Sequence, residues 1–153
     1  GLADVDLAAG GDVEKGHSLP CGLGGGPVKG LPLGGVGGLG LLLAQDCAVI
    51  TSGNYENCFV AEDGTVCGHI LDPETGRPAD SGLATDTNVA QEGRLGDALS
   101  TSLFVMAAQR AEAFWRERGG FDMILVTQAG EILVTEGIAD AFTPTRTRPP
   151  SAC

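Results

Sequence analysis

Glycine placement is the strongest constraint on how this chain can fold. Of 25 glycines, 14 fall within the first 40 residues, and "CGLGGGPVKGLPLGGVGGLG" (residues 21–40) has almost no charge and no hydrophobic period. Glycine loses more backbone entropy on ordering than any other residue and offers no side chain to pack. Residues 16 to 40 are therefore expected to be irregular. A phosphate loop does not rescue the segment. "GGGPVKG" fails G-x-x-x-x-G-K-[ST], because no Ser or Thr follows Lys29.

Beyond residue 40 the patterns sharpen. "LLLAQDCAVITSG" is an apolar run ended by Gly53. "CFVAEDGTVCGHIL" reads as a hairpin turning at "EDG". "DPETGRP" is dense in turn formers and reads as a loop, and "LATDTNVA" alternates as a strand should. From Asp97 to Arg118 the apolar residues Leu99, Leu103, Val105, Met106, Ala111, Phe114 and Trp115 recur near helical spacing, and "RGG" supplies glycines suited to a helix end. "MILVT" and "EILVT" flank "QAG" as a second hairpin. The expected fold class is α+β: a mixed or antiparallel sheet from residues 44 to 92 and 121 to 136, with the helix packed on it through Leu99, Leu103, Met106 and Phe114. Three segments follow: a Gly-rich, irregular part over 1–43, a folded part over 44–142, and a disordered Pro- and Arg-rich tail over 143–153.

Composition excludes several function classes. The chain of 153 residues fits one domain or part of a larger one. Its formal net charge of −11 repels a phosphate backbone, so nucleic acid is not an expected partner. Five scattered cysteines lack any C-x-x-C spacing, which argues against a disulfide framework and a structural zinc. No apolar run is long enough for a transmembrane helix. The chain opens on Gly1 with no cationic apolar leader, and is read as a processed form or a partial chain.

Three constellations could carry chemistry. "TSGNYE" sets Thr51, Ser52 and Gly53 at a strand end, where hydroxyls and backbone amides can hold an anion or a polar ring edge; the alternative is an ordinary strand-to-turn exit. "GHILDPETG" sets His69 three residues before Asp72. The imidazole can move a proton near neutral pH, and Asp72 with Pro73 makes a stiff turn; the alternative is a structural Asx turn beside a satisfied histidine. "GDALSTSLF" sets Asp97 and Thr101 four apart at the start of a helix, hence on one face. A carboxylate and a hydroxyl there offer two oxygens to a hard cation such as Mg²⁺; the alternative is an acid favoured by the helix dipole and a solvent-facing threonine.

In this order and spacing, "TSGNYE", "HILDPETGRP" and "GDALSTSLF" resemble the ApbE family of flavin transferases, whose pattern reads T-S-G-D-Y-x-x-x-F, H-I-L-D-P-x-T-G-x-P and A-D-A-L-A-T-A-L-F. "MILVT…GEILVTEG" resembles its closing hairpin, and "AAGGDVEKG" (residues 8–16) its N-I-G-G-D-V turn. The likeness runs over about residues 44 to 142, as the C-terminal part of an ApbE-like domain. It implies an FAD:protein FMN transferase that moves FMN from FAD onto a Thr or Ser hydroxyl of a target flavoprotein, with Mg²⁺, releasing AMP. By the resemblance, His69 is catalytic and lies at the flavin and pyrophosphate. Thr51, Ser52, Gly53 and Asp72 belong to the FAD-binding site, and Asp97 and Thr101 are metal ligands. The implied partner is a flavoprotein subunit of a redox membrane complex. The implied location is the bacterial cell envelope or periplasm, often by lipid anchor, with the cytoplasm as the alternative. Two other readings share the scaffold: a Mg²⁺-dependent FAD pyrophosphatase giving FMN and AMP, and a non-catalytic flavin-binding remnant. The chain departs from the pattern at Asn54, where T-S-G-D has Asp, and at Gly68, where a His or other polar residue is common.

Overall fold

The computed structural model describes residues 2–4, 29–33, 39–54, 58–64 and 66–144. In chain order the strands are β1 Leu2–Asp4, β2 Lys29–Leu33, β3 Gly40–Ala44, β4 Ala48–Gly53, β5 Cys58–Val60, β6 Val66–Gly68, β7 Leu83–Ala90, β8 Phe121–Thr127, β9 Ile132–Thr135 and β10 Phe142–Pro144. Helix α1, Gly93–Arg118, lies between β7 and β8, and a 3-10 turn, Glu136–Ala141, between β9 and β10. The fold is α+β, as expected, and every described strand pairing is antiparallel.

The main sheet has the order β1-β9-β8-β7-β4. Successive side chains on a strand point to opposite faces, and here both faces are covered. On one face Val89, Ile124, Val126, Ile132 and Val134 pack with Leu42, Ile138 and Phe142. Those last three come from the 3-10 turn and a second sheet of order β10-β3-β2. On the other face Ala90, Phe121, Met123 and Leu125 pack with Leu99, Leu103, Phe104 and Ala111 of α1. Leu99 and Leu103 are buried, and Met106 and Phe114 pack half-buried on the same cluster, as the helical spacing indicated.

The helix is not one straight rod. Ala90 pairs with Phe121, so the connection leaves and re-enters the sheet at the same end. A straight helix of 26 residues would finish about 39 Å from its start. The chain instead doubles back at Ala107, whose φ of 65° and ψ of 165° break the helical path. The first leg runs over β4 and β7, and Gly96 lets it approach closely: a Cβ there would stand 3.2 Å from Ile50 Cδ1. The second leg returns to β8, where the Trp115 indole N–H donates to the Phe121 carbonyl at 2.8 Å. Gly119 and Gly120, both at positive φ, then end the helix.

Two sequence expectations need correction. Lys29–Leu33 is a strand hydrogen-bonded along β3, not an irregular stretch, because the neighbouring "GLLLA" offers its backbone as a template. The apolar run that Gly53 ends, whose strand count the sequence left open, is two strands in different sheets, separated at Gln45–Cys47, where Asp46 takes a positive φ of 51°. Thr143 and Pro144 of the expected tail belong to β10, paired with β3. The reading of "AAGGDVEKG" falls outside the described residues.

Candidate functional site

β4 carries the first constellation, and its pleat divides the two hydroxyls. Ile50 and Ser52 face the helix, while Val49 and Thr51 face the second sheet. The Ser52 hydroxyl donates to the Ser100 hydroxyl at 2.8 Å, and Ser100 donates to the Asp97 carbonyl at 3.0 Å. The first constellation thus touches the third. Thr51 instead meets Thr87 across the β4–β7 pair, hydroxyl to hydroxyl, at 2.8 Å. Gly53 ends the strand opposite Thr85.

The second constellation joins at the strand exit. Gly68, the last residue of β6, is buried, and the Asn54 side chain occupies the space a Cβ at 68 would need. The Asn54 side chain thus fills the place that the missing Cβ leaves at 68. His69 follows directly and is solvent-exposed. Ile70 is buried in the cluster that holds Leu99 and Leu103 of α1, which ties this loop to the helix. Asp72 is committed to its own turn. Its carboxylate accepts from the Glu74 backbone N–H at 2.9 Å and the Thr75 hydroxyl at 3.2 Å, and its carbonyl accepts from Gly76 N–H at 2.8 Å. This is the Asx turn weighed from the sequence, and it gives Asp72 a loop-shaping role that leaves little of the carboxylate for a ligand.

Asp97 and Thr101 lie one turn apart on the first leg of α1, both exposed. Among the described residues neither side chain has a hydrogen-bond or ion-pair partner. The pair fits a hard cation: two free oxygens of the right kind, presented on one face beside the end of β4. Mg²⁺ takes few protein oxygens and fills its shell from water and phosphate. A denser ligand cluster of His, Cys, Asp and Glu is absent among the described residues.

Sequence reasoning did not single out the buried polar group beneath the helix. Asp86 and Asn88 of β7 are wholly buried on the helix-covered face, level with Leu125 and Met123. Asn88 Nδ2 donates to Asp86 Oδ2 at 2.8 Å, while Asp86 Oδ1 and Asn88 Oδ1 have no partner among the described residues. Burial pushes the Asp86 carboxyl well above the usual carboxylate range, only partly offset by the Asn88 bond. The signal in the sequence was the alternation of "LATDTNVA", which puts Asp86 and Asn88 on one face; only the position of the helix shows that this face is covered.

Comparison with known proteins adds the context. The model of the ApbE family matches residues 30–125. The chain is 35% identical over 96 residues to the FAD:protein FMN transferase of Treponema pallidum, covering 63% of this chain and 26% of that protein. It is 34% identical over 106 residues to an FAD:protein FMN transferase of Klebsiella pneumoniae, covering 69% of this chain and 33% of that protein. Among solved structures, the ApbE protein of Thermotoga maritima is similar with a TM-score of 0.60 at 34% identity, over 70% of this chain and 36% of that one. The apo flavinyl transferase ApbE of Pseudomonas stutzeri gives 0.58 at 28% identity, over 75% and 37%. The chain spans about a quarter to a third of the length of these curated relatives.

Proposed function

The chain belongs to the ApbE family, and on that premise we propose that it serves FAD:protein FMN transfer, moving FMN from FAD to a Thr or Ser hydroxyl of a target flavoprotein. The observation that carries the reading is the meeting of three separate sequence strings at one end of β4, through Ser52–Ser100, Asn54–Gly68 and the shared burial of Ile70 with Leu99 and Leu103. In the proposed reaction the acceptor hydroxyl oxygen attacks the FMN phosphorus. The bridging P–O bond breaks and AMP leaves with the bridging oxygen. The hydroxyl proton goes to a base, and His69, exposed beside the β4 exit, is the residue assigned to that role. Thr51, Ser52 and Gly53 form the adjoining wall proposed for the flavin.

A pyrophosphate must have its charge offset before an oxygen can attack it, and a chain of net charge −11 lacks the surplus of cationic side chains to do so. Asp97 and Thr101 would hold Mg²⁺, which supplies that neutralisation when bound. The proposed partner is a flavoprotein subunit of a redox membrane complex, and the proposed setting is the bacterial cell envelope. No helix among the described residues is long and apolar enough to cross a membrane.

The test is incubation of the chain with FAD, Mg²⁺ and a threonine-bearing acceptor peptide, read by mass spectrometry. FMN-peptide with AMP supports transfer. Free FMN with AMP makes the chain a pyrophosphatase instead, and absence of both products with FAD bound makes it a flavin-binding domain.

A further inference from the structure

We propose that Ser100 is a positioning residue: its hydroxyl latches the first turns of α1 to the end of β4, and so sets the presentation of Asp97 and Thr101 to a divalent cation. The inference rests on the metal reading above.

The geometry is a short relay. Ser52 Oγ–H donates to Ser100 Oγ at 2.8 Å, and Ser100 Oγ–H donates to the Asp97 carbonyl at 3.0 Å. Ser100 is 1% exposed, so the bonds are held away from competing water. The relay ends on the backbone of one proposed ligand, and Ser100 itself precedes the other, Thr101. Capping adds little restraint at this helix start, although Leu99, Leu103 and Phe104 pack the same leg on the sheet. The residue before the helix, Glu92, makes no side-chain cap, the first turn contains no acid, and Gly93 and Gly96 add backbone freedom. Gly96 over Ile50 and Ser100 over Ser52 are then two successive contacts, four residues apart on the helix and two apart on the strand. The first is a contact without direction. The second is directional and fixes the helix rotation, on which the aim of Asp97 and Thr101 depends.

A second consequence follows for Ser52. Its proton is engaged by Ser100, so toward a ligand at the β4 end it offers an acceptor, not a donor. Removing the Ser100 hydroxyl frees that donor.

The test is a Mn²⁺ titration of the whole chain by electron paramagnetic resonance, on the parent, Ser100→Ala, Ser52→Ala, the double variant and Asp97→Asn. Amide hydrogen exchange over residues 97–101 is measured on the same metal-free proteins. Ser100→Ala and Ser52→Ala should each weaken Mn²⁺ by roughly 3- to 10-fold, the effect of one lost hydrogen bond, and speed exchange at 97–101. The double variant should be no weaker than the single variants, because both break the same latch. Parent-like affinity and exchange in Ser100→Ala, with Asp97→Asn defective, overturns the latch and leaves the metal reading standing. Unchanged Mn²⁺ binding in Asp97→Asn, or none in the parent, overturns the metal reading and the latch with it. A purely structural bond would lower the melting temperature while leaving the Mn²⁺ affinity alone, and that result also overturns the proposal.

Discussion

Replacing Asp86 by asparagine should stabilise this chain at neutral pH, and the gain should grow with pH. Asp86 is wholly buried between β7 and α1, and burial raises its carboxyl well above the usual range. The folded state therefore holds a proton that the unfolded state releases at about pH 3.9, the ordinary value for aspartate. Between that value and the raised one, the folded state binds more protons than the unfolded state. Stability must then fall as pH rises, by up to about 1.4 kcal/mol per pH unit. Below the window both states are protonated and the term vanishes; above it the penalty is constant.

An amide at position 86 has no such proton to lose. It still accepts the Asn88 Nδ2 bond, now 2.8 Å to Asp86 Oδ2, and it brings two donors next to Asn88 Oδ1, which has no partner among the described residues. Inside the window, the difference in unfolding free energy between Asp86→Asn and the parent should widen as pH rises, at no more than about 1.4 kcal/mol per pH unit. Subtracting the parent cancels the pH dependence of the other carboxylates, which is large in a chain with 20 acidic residues. The assay is urea denaturation followed by Trp115 fluorescence from pH 4 to 8. Trp115 is the only tryptophan, and its indole is bonded to Phe121 at the sheet end, so it reports loss of the helix–sheet contact. A difference that stays flat across pH, or a variant less stable than the parent at pH 7, would refute the account of Asp86 as a buried neutral acid.

Three other outcomes are expected. Gly68→Ala should cost roughly 1–3 kcal/mol, the usual cost of overpacking, because its Cβ overlaps the Asn54 side chain; adding Asn54→Ala should recover most of that loss in the same denaturation assay. His69→Ala should slow AMP release roughly 10²- to 10⁴-fold with a much smaller change in FAD affinity, measured by chromatography of AMP and by flavin fluorescence. Mg²⁺ should tighten FAD binding by the factor by which FAD tightens Mg²⁺ binding; Asp97→Asn should abolish most of that coupling and Thr101→Val less, with titrations in Mg²⁺ and in chelator as the check.

Local order was legible in the sequence wherever one short pattern decided it. The strand "LATDTNVA" is β7 over the expected residues, and "EDG" and "QAG" turn the two expected hairpins. The reversal of the helix was not legible. Apolar residues at helical spacing run through Ala107 without a Gly or Pro, and alanine is the strongest helix former, so nothing local marks the bend. What forces it is distant: Ala90 and Phe121 must sit side by side on antiparallel strands. The strand at Lys29–Leu33 was hidden for the opposite reason. Its own residues disfavour a strand, and the pairing with β3 overrides them.

The same division governs the candidate site. Thr51, Ser52, Gly53, His69, Asp72, Asp97 and Thr101 could be marked one by one, because each sits in a string with its own turn or helix signature. Which of them meet could not be read, because Ser52 and Ser100 are 48 residues apart and no local pattern couples them. The structure also sorts the strings by what their side chains are already doing. Asp72 is occupied in its turn, Thr51 in a cross-strand hydroxyl pair and Ser52 in the helix, whereas Asp97 and Thr101 have no partner among the described residues. A polar side chain that satisfies its neighbours can shape a site but has little left to bind with. By that criterion the side-chain oxygens without a partner among the described residues lie on the helix, at Asp97 and Thr101, and Ser52 of the "TSG" strand end ties that helix to β4.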